Sequence, residues 1–139
     1  MNGYLFDTNL LSEVMRKRPD AGVMQRLRGV PAAHAFTSAV CVMELRYGAA
    51  RHPRGADLWQ RIERDVLSRV RVVPFSMRVC TRAGELLAAL EARGTPLGVE
   101  DVMIAATALA LDLTVVTRNV RHFGRVAGLR VENWWQAAG

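Results

Sequence analysis

Apolar and polar positions fall into short blocks along this chain. The first block, Tyr4-Leu5-Phe6 in "GYLFDTNLLSEV", stops at Asp7. It predicts a buried strand over 3–6, and the pattern after it predicts a helix over 8–17. Breaks follow at Arg18-Pro19-Asp20, Gly29 to Pro31, His52 to Gly55, Pro74, and Gly94 to Gly98. Gly and Pro punctuate local structure in this way. Between the breaks we read a helix over 20–28 with Asp20 as its cap and a short strand over 35–37. Ser38 caps a helix over 39–50, and the next helix covers 55–69. "VRVVPF" carries a strand over 70–73, and Ser76 starts a helix that runs to 93. A helix over 99–111 precedes the strand "LTVVT" at 113–117. A helical turn over 119–123 and a last strand over 129–132 complete the order.

Strands that alternate with helices imply βαβ units, hence an α/β fold with a mostly parallel central sheet flanked by helices. With 139 residues, half of them hydrophobic, the chain suits one domain over 1–139 with a single core. In such sheets, sites form outside the carboxyl ends of the strands. Asp7 ends the first strand, and Asn119 follows "LTVVT" by two residues.

Composition narrows the field. The 19 basic and 13 acidic residues leave a net charge of +6. All the basic residues but Lys17 are Arg. Excess positive charge favours polyanionic partners, and Arg suits phosphate geometry. Arg in place of Lys also follows from genome base composition, so charge alone favours nucleic acid without showing it. No apolar run is long enough to span a membrane, and no signal-peptide pattern opens the chain. Cys41 and Cys80 lie too far apart for a metal-ligand spacing. A reducing cytoplasm is therefore expected, with both thiols on helices in the core.

Three carboxylates stand out. Alone, Asp7 reads equally well as a helix N-cap. Glu44, in "SAVCVMELRYG", sits among apolar neighbours, where a charge needs a partner or a metal. A solvated face or an ion pair to Arg is the plainer reading. Asp101, in "GVEDVMIAATALA", opens the most apolar helix, where the helix dipole favours either it or Glu100. Together the three can meet only through the fold. Carboxylates without His or Cys suit a hard cation such as Mg²⁺ or Mn²⁺. On a basic protein that points to metal-assisted phosphodiester hydrolysis.

Three blocks, "LFDTNLLSEV", "SAVCVMELRYGAAR" and "EDVMIAATALALDLTVVTRNVRHF", resemble those of PIN-domain ribonucleases. The likeness is greatest to the VapC and FitB-like toxins of type II toxin–antitoxin pairs, and runs from about Tyr4 to Trp135. It implies that Asp7, Glu44 and Asp101 are the catalytic metal-holding acids and that Glu100 is a neighbour. Many relatives carry a fourth acid where this chain has Asn119, which offers a weaker, uncharged ligand. Thr8, Ser38 and Thr117 would orient the acids or their waters, or merely cap and turn the chain. Arg46 and Arg118 would hold the RNA backbone, or form surface ion pairs. The resemblance also implies a homodimer and a cognate antitoxin, with the helices over 8–17 and 39–50 lining the dimer and the antitoxin groove, and contact with operator DNA only through that antitoxin.

Two alternatives stay open. One is a haloacid-dehalogenase-like phosphatase, although its second acid is here Asn9. The other is a non-catalytic antitoxin partner that helps regulate DNA. His34, His52 and His122 share no spacing, so none is assigned as a base. Trp134 and Trp135 read as packing residues, with base stacking as the other use.

Overall fold

The computed structural model describes residues 3–136. In chain order the elements are β1 (Tyr4–Phe6), α1 (Thr8–Val14), α2 (Ala21–Arg28), β2 (Ala35–Ser38), α3 (Ala39–Arg51), α4 (Gly55–Asp65) and β3 (Arg71–Val73). They continue with α5 (Met77–Ala92), α6 (Val99–Leu111), β4 (Thr114–Val116), α7 (Val120–Phe123) and β5 (Val131–Glu132). All pairings in the sheet are parallel, in the order β3-β2-β1-β4-β5. The first strand is thus central. The chain winds to one side through β2 and β3, then returns to lay β4 against the other flank of β1. The switch between these directions falls between β1 and β4, where an open α/β sheet leaves a crevice at the strands' carboxyl ends.

Burial on both faces explains the strand sequences. Leu5, Phe6, Val115 and Val116 are all within 1% of full burial, as expected for parallel strands covered by helices on both sides. Register places Phe6 beside Thr37 on one flank and Val116 on the other. The residues that follow, Asp7, Ser38 and Thr117, therefore emerge at one edge. A second apolar cluster joins Val79, Ala83 and Leu90 of α5 to Val102 and Ala106 of α6, and so fixes the helix that carries Asp101.

Several boundaries differ from the sequence expectation. The first helix ends at Val14 rather than 17, because Pro19 disfavours helical backbone at Arg18. The helix expected over 55–69 stops at Asp65; buried Val66 turns inward and a 3₁₀ turn covers Leu67–Arg69. The last strand pairs only through Val131 and Glu132. Cys41 is in the core as expected, whereas Cys80 is only half-buried, its Sγ directed at the Phe75 carbonyl 3.6 Å away.

The C-terminal segment closes the fold through Glu13. This carboxylate is 4% exposed, and it accepts from the Trp135 indole N–H at 3.0 Å, the Asp20 backbone N–H at 2.9 Å and Arg16 at 3.4 Å. Burial raises its pKa, but these donors outweigh burial and hold it below the ordinary value. Its contribution to stability is therefore present above an ordinary pKa of 4.5 and lost as pH falls. Trp135→Phe removes one donor from a buried charge and should cost about 1–3 kcal/mol near neutral pH. The loss should shrink in acid as Glu13 protonates. Urea unfolding at both pH values checks this, and equal losses would mean that the indole does not support the ionised form.

Candidate functional site

Asp7 is the fixed point of the crevice. Its side chain is 5% exposed and sits where β1 gives way to α1. Oδ1 accepts the Thr8 backbone N–H at 2.8 Å, so the capping role read from sequence is met. Oδ2 accepts the Thr117 hydroxyl at 2.7 Å and the Asn9 amide at 3.2 Å. Burial raises the pKa of Asp7, while these donors partly oppose the rise.

Glu44 arrives from α3. Ser38 caps that helix by accepting the Val40 N–H at 3.0 Å, which fixes its first turn at the end of β2. The Thr8 hydroxyl donates to Glu44 Oε1 at 2.7 Å and ties α3 to α1. Cys41 lies one turn before Glu44. One ligand atom each from Asp7, Cys41 and Glu44 lies within 4.8 Å of the others. Asp101 stands outside that set but lines the same cleft, together with Thr8, Asn9, Ser12, Glu13, Arg16 and Asn119. It is in the first turn of α6 with Glu100, where the helix dipole stabilises both.

The acids share an electrostatic problem. Burial raises the pKa of both Glu44 and Asp101, and the charge of Asp7 raises each further. Among the described residues no Lys or Arg pairs with the three. The single ionic contact is His122 Nδ1, 3.8 Å from Asp101 Oδ2. Carboxylates gathered without cations need either protons or a metal. The oxygen donors suit a hard divalent cation. Cys41 does not add to that donor set, because burial pushes its thiol up to about 11 and keeps it protonated.

The other sequence candidates divide. Thr8 and Thr117 hydrogen-bond directly to Glu44 and Asp7. The Asn119 N–H donates to Thr117 Oγ1 at 3.0 Å, and its side chain caps nothing. Ser38 is used in capping and has no hydrogen bond to the acids. Arg46 lies over Trp59, 5.0 Å from the ring centre, and Arg118 over Trp135 at 5.3 Å; neither side chain lines the cleft. Trp134 and Trp135 are buried packing residues.

Sequence reading passed over Asn9, Ser12, Glu13 and Arg16. Their spacing at 9, 12, 13 and 16 is helical and opposes the apolar Leu10, Leu11 and Val14, so the polar face of α1 carried the signal. Asn9, where a dehalogenase-like phosphatase needs an acid, instead bridges Asp7 to the β4 loop. Its Nδ2 donates to Asp7, and its Oδ1 accepts the Arg118 N–H at 3.3 Å.

Known proteins resemble this chain along nearly its whole length. A plasmid stability protein, StbB, from Pseudomonas syringae pv. tomato is 39% identical, over 96% of this chain and 99% of its own. A tRNA(fMet)-specific endonuclease VapC from Shigella flexneri is 35% identical, over 94% and 97%. The crystal structure of FitAcB from Neisseria gonorrhoeae superposes with a TM-score of 0.87 at 31% identity, covering 96% of this chain and 99% of that one. VapBC2 from Rickettsia felis, bound to a DNA fragment from its promoter, gives 0.85 at 30% identity, over 94% and 98%. The sequence model of the PIN domain matches residues 4–129, and the chain belongs to the PIN-domain family.

Proposed function

We propose that this chain is a metal-dependent endoribonuclease and the toxin of a type II toxin–antitoxin pair. The observation that carries this reading is the meeting of Asp7, Glu44, Asp101 and Asn119 around one cleft at the carboxyl edge of the sheet, on a protein of net charge +6. The VapC endonuclease relatives support RNA as the substrate.

The acids would hold Mg²⁺ or Mn²⁺, with Asn119 as a weaker, uncharged ligand. When bound, the cation polarises a phosphate oxygen and lowers the pKa of nearby water. Asp7 is immobilised by three donors and acts as the anchor. Thr8 occupies Glu44 Oε1, which leaves Oε2 free of protein donors among the described residues. That oxygen, or the half-exposed Asp101 carboxylate, orients the attacking water and accepts its proton. Burial of Asp7 and the close packing of β1 and β4 keep the anchor dry.

Partner binding follows the same reading. An apolar groove of about 490 Å³ runs between α1, α2 and the 66–70 segment, lined by Leu10, Leu11, Val14, Met24, Leu27 and Val66. It suits an amphipathic antitoxin segment. Besides α1, one of the two helices named from sequence, it uses α2. The α3 helix, the other one named, exposes Met43 and Tyr47, apolar surface suited to a homodimer. Operator DNA would be reached only through the antitoxin. No described helix is long and apolar enough to cross a membrane, and the proposed location is the cytoplasm, with the RNA.

Asp101→Asn keeps shape and removes one ligand charge, so Mn²⁺-dependent cleavage of initiator tRNA and of a structured RNA pool should fall about a hundredfold or more. Glu100→Gln should stay within a few fold, and EDTA should abolish cleavage by the unmutated chain. Similar losses in the two variants would remove Asp101 from the ligand set. Activity that survives EDTA would remove the metal.

The raised carboxyls supply a pH test. A carboxyl whose folded pKa lies above its unfolded value favours the folded chain only while protonated. That contribution is complete below the ordinary 3.8 to 4.5 and lost as pH rises through the raised values. Metal takes the ionised form, so its affinity rises across the same window. Mn²⁺ should therefore raise the melting temperature more at about pH 8 than at about pH 5. A shift that does not depend on pH would place the metal elsewhere.

Co-expression with the product of an adjacent small gene should yield a stable complex, and sedimentation of the chain at micromolar concentration should show a dimer. A monomer with no co-purifying partner contradicts the toxin assignment.

A further inference from the structure

We propose that Arg16 is a substrate-positioning residue that grips an RNA phosphate flanking the scissile one. This rests on the ribonuclease reading above and assigns the backbone contact to a residue other than Arg46 or Arg118. Both of those lie over indole rings, and neither is among the residues that line the cleft. Arg16 is the single cationic residue that lines the cleft with the acids. Its side chain is 64% exposed, yet its place is fixed. It follows the last turn of α1, and its backbone N–H donates to the Glu13 carbonyl at 3.1 Å.

The guanidinium is tethered but not used up. Among the described residues its one partner is Glu13 Oε1, met by a single nitrogen at 3.4 Å. By contrast, Arg64 grips Asp65 with two nitrogens at 2.9 and 3.1 Å. Glu13 also has better donors, because Trp135 and the Asp20 N–H reach it at 3.0 and 2.9 Å. Glu13 thus aims the arginine without consuming its fork. A planar fork with free donors matches phosphate.

Position along the chain separates this contact from the metal. Asp7 caps the start of α1 and Arg16 follows its end, so their backbones are about 13 Å apart at helical rise. The nearest carboxylate to its guanidinium is Glu13, and no hydrogen bond or ion pair joins Arg16 to Asp7, Glu44 or Asp101 among the described residues. A strand that presents one phosphate to the acids therefore lays a neighbouring phosphate along α1 towards Arg16. The acids by themselves repel that strand, and Arg16 supplies the local attraction.

The test compares Arg16→Met, Arg16→Lys and Arg54→Met, the last removing an equal charge from an exposed site at the start of α4 that does not line the cleft. Anisotropy of a labelled single-stranded oligoribonucleotide in Mn²⁺, in an Asp101→Asn background, reads affinity. Initiator tRNA cleavage in the active background reads kcat and KM. Arg16→Met should weaken RNA binding about tenfold and raise KM alike, with kcat within about twofold. The dependence of log affinity on log salt should lose about one unit of slope. Arg16→Lys should recover part of the affinity, and Mn²⁺ binding by calorimetry should not weaken. A loss no larger than that of Arg54→Met, or a loss confined to kcat, overturns the role of Arg16 alone. Failure of the unmutated chain to bind or cleave RNA overturns the ribonuclease reading and this role together.

Discussion

A buried carboxylate at the carboxyl end of the central strand is the constraint around which the rest of the molecule is arranged. Asp7 is removed from water by the two strands that flank β1, and its charge survives only because the chain supplies donors on every side. One comes from its own helix, one from the next residue but one, and one from Thr117 on the far side of the switch point. Each donor depends on a larger feature. The Thr8 N–H requires α1 to begin at once, and the Thr117 hydroxyl requires β4 to lie against β1 in register. Movement of either would strip a buried charge of one donor, a penalty of about 1–3 kcal/mol. The polar contact therefore specifies the packing as much as the packing buries the contact.

The remaining acids are held less tightly, and the difference suits their proposed work. Glu44 has one hydroxyl donor, and Asp101 has a distant imidazole. Both are partly exposed, so they can change protonation and partners without unfolding anything. Gathering three like charges around one cleft lowers the stability of the metal-free chain, a cost common at functional sites. Arg16 offsets some of that field towards a polyanion without neutralising the acids themselves.

Much of this was legible before any coordinates. The alternation of strands and helices, the caps at Asp20, Ser38 and Ser76, and the order of the elements follow from local chemistry, and each reappears in the structure. The acids were legible because a charge among apolar neighbours is anomalous at the level of a few residues. Hydrogen-bond partners and side-chain direction were not. Asn9 was named only as the residue where a phosphatase needs an acid, because its partners Thr117 and Arg118 lie more than a hundred positions away. Proximity in sequence named Arg46 and Arg118 without fixing their direction, and each lies over an indole ring. The true lining of the cleft was written in the polar face of α1, a periodicity partly hidden because the helix is only seven residues long.

The order of strands in the sheet has a further consequence, for the timing of activity. The first third of the chain carries Asp7 and Glu44, but the hydroxyl that seats Asp7 lies 110 residues further on. Asp101 and Asn119 come from the same late segment. A nascent chain therefore holds its first two acids apart from the rest until β4 has been made and inserts beside β1. No fragment that stops before Asn119 contains all four of these residues. For a protein that would damage the RNA of the cell that makes it, such an arrangement withholds the chemistry until the whole folded surface, including the groove for a neutralising partner, is in place.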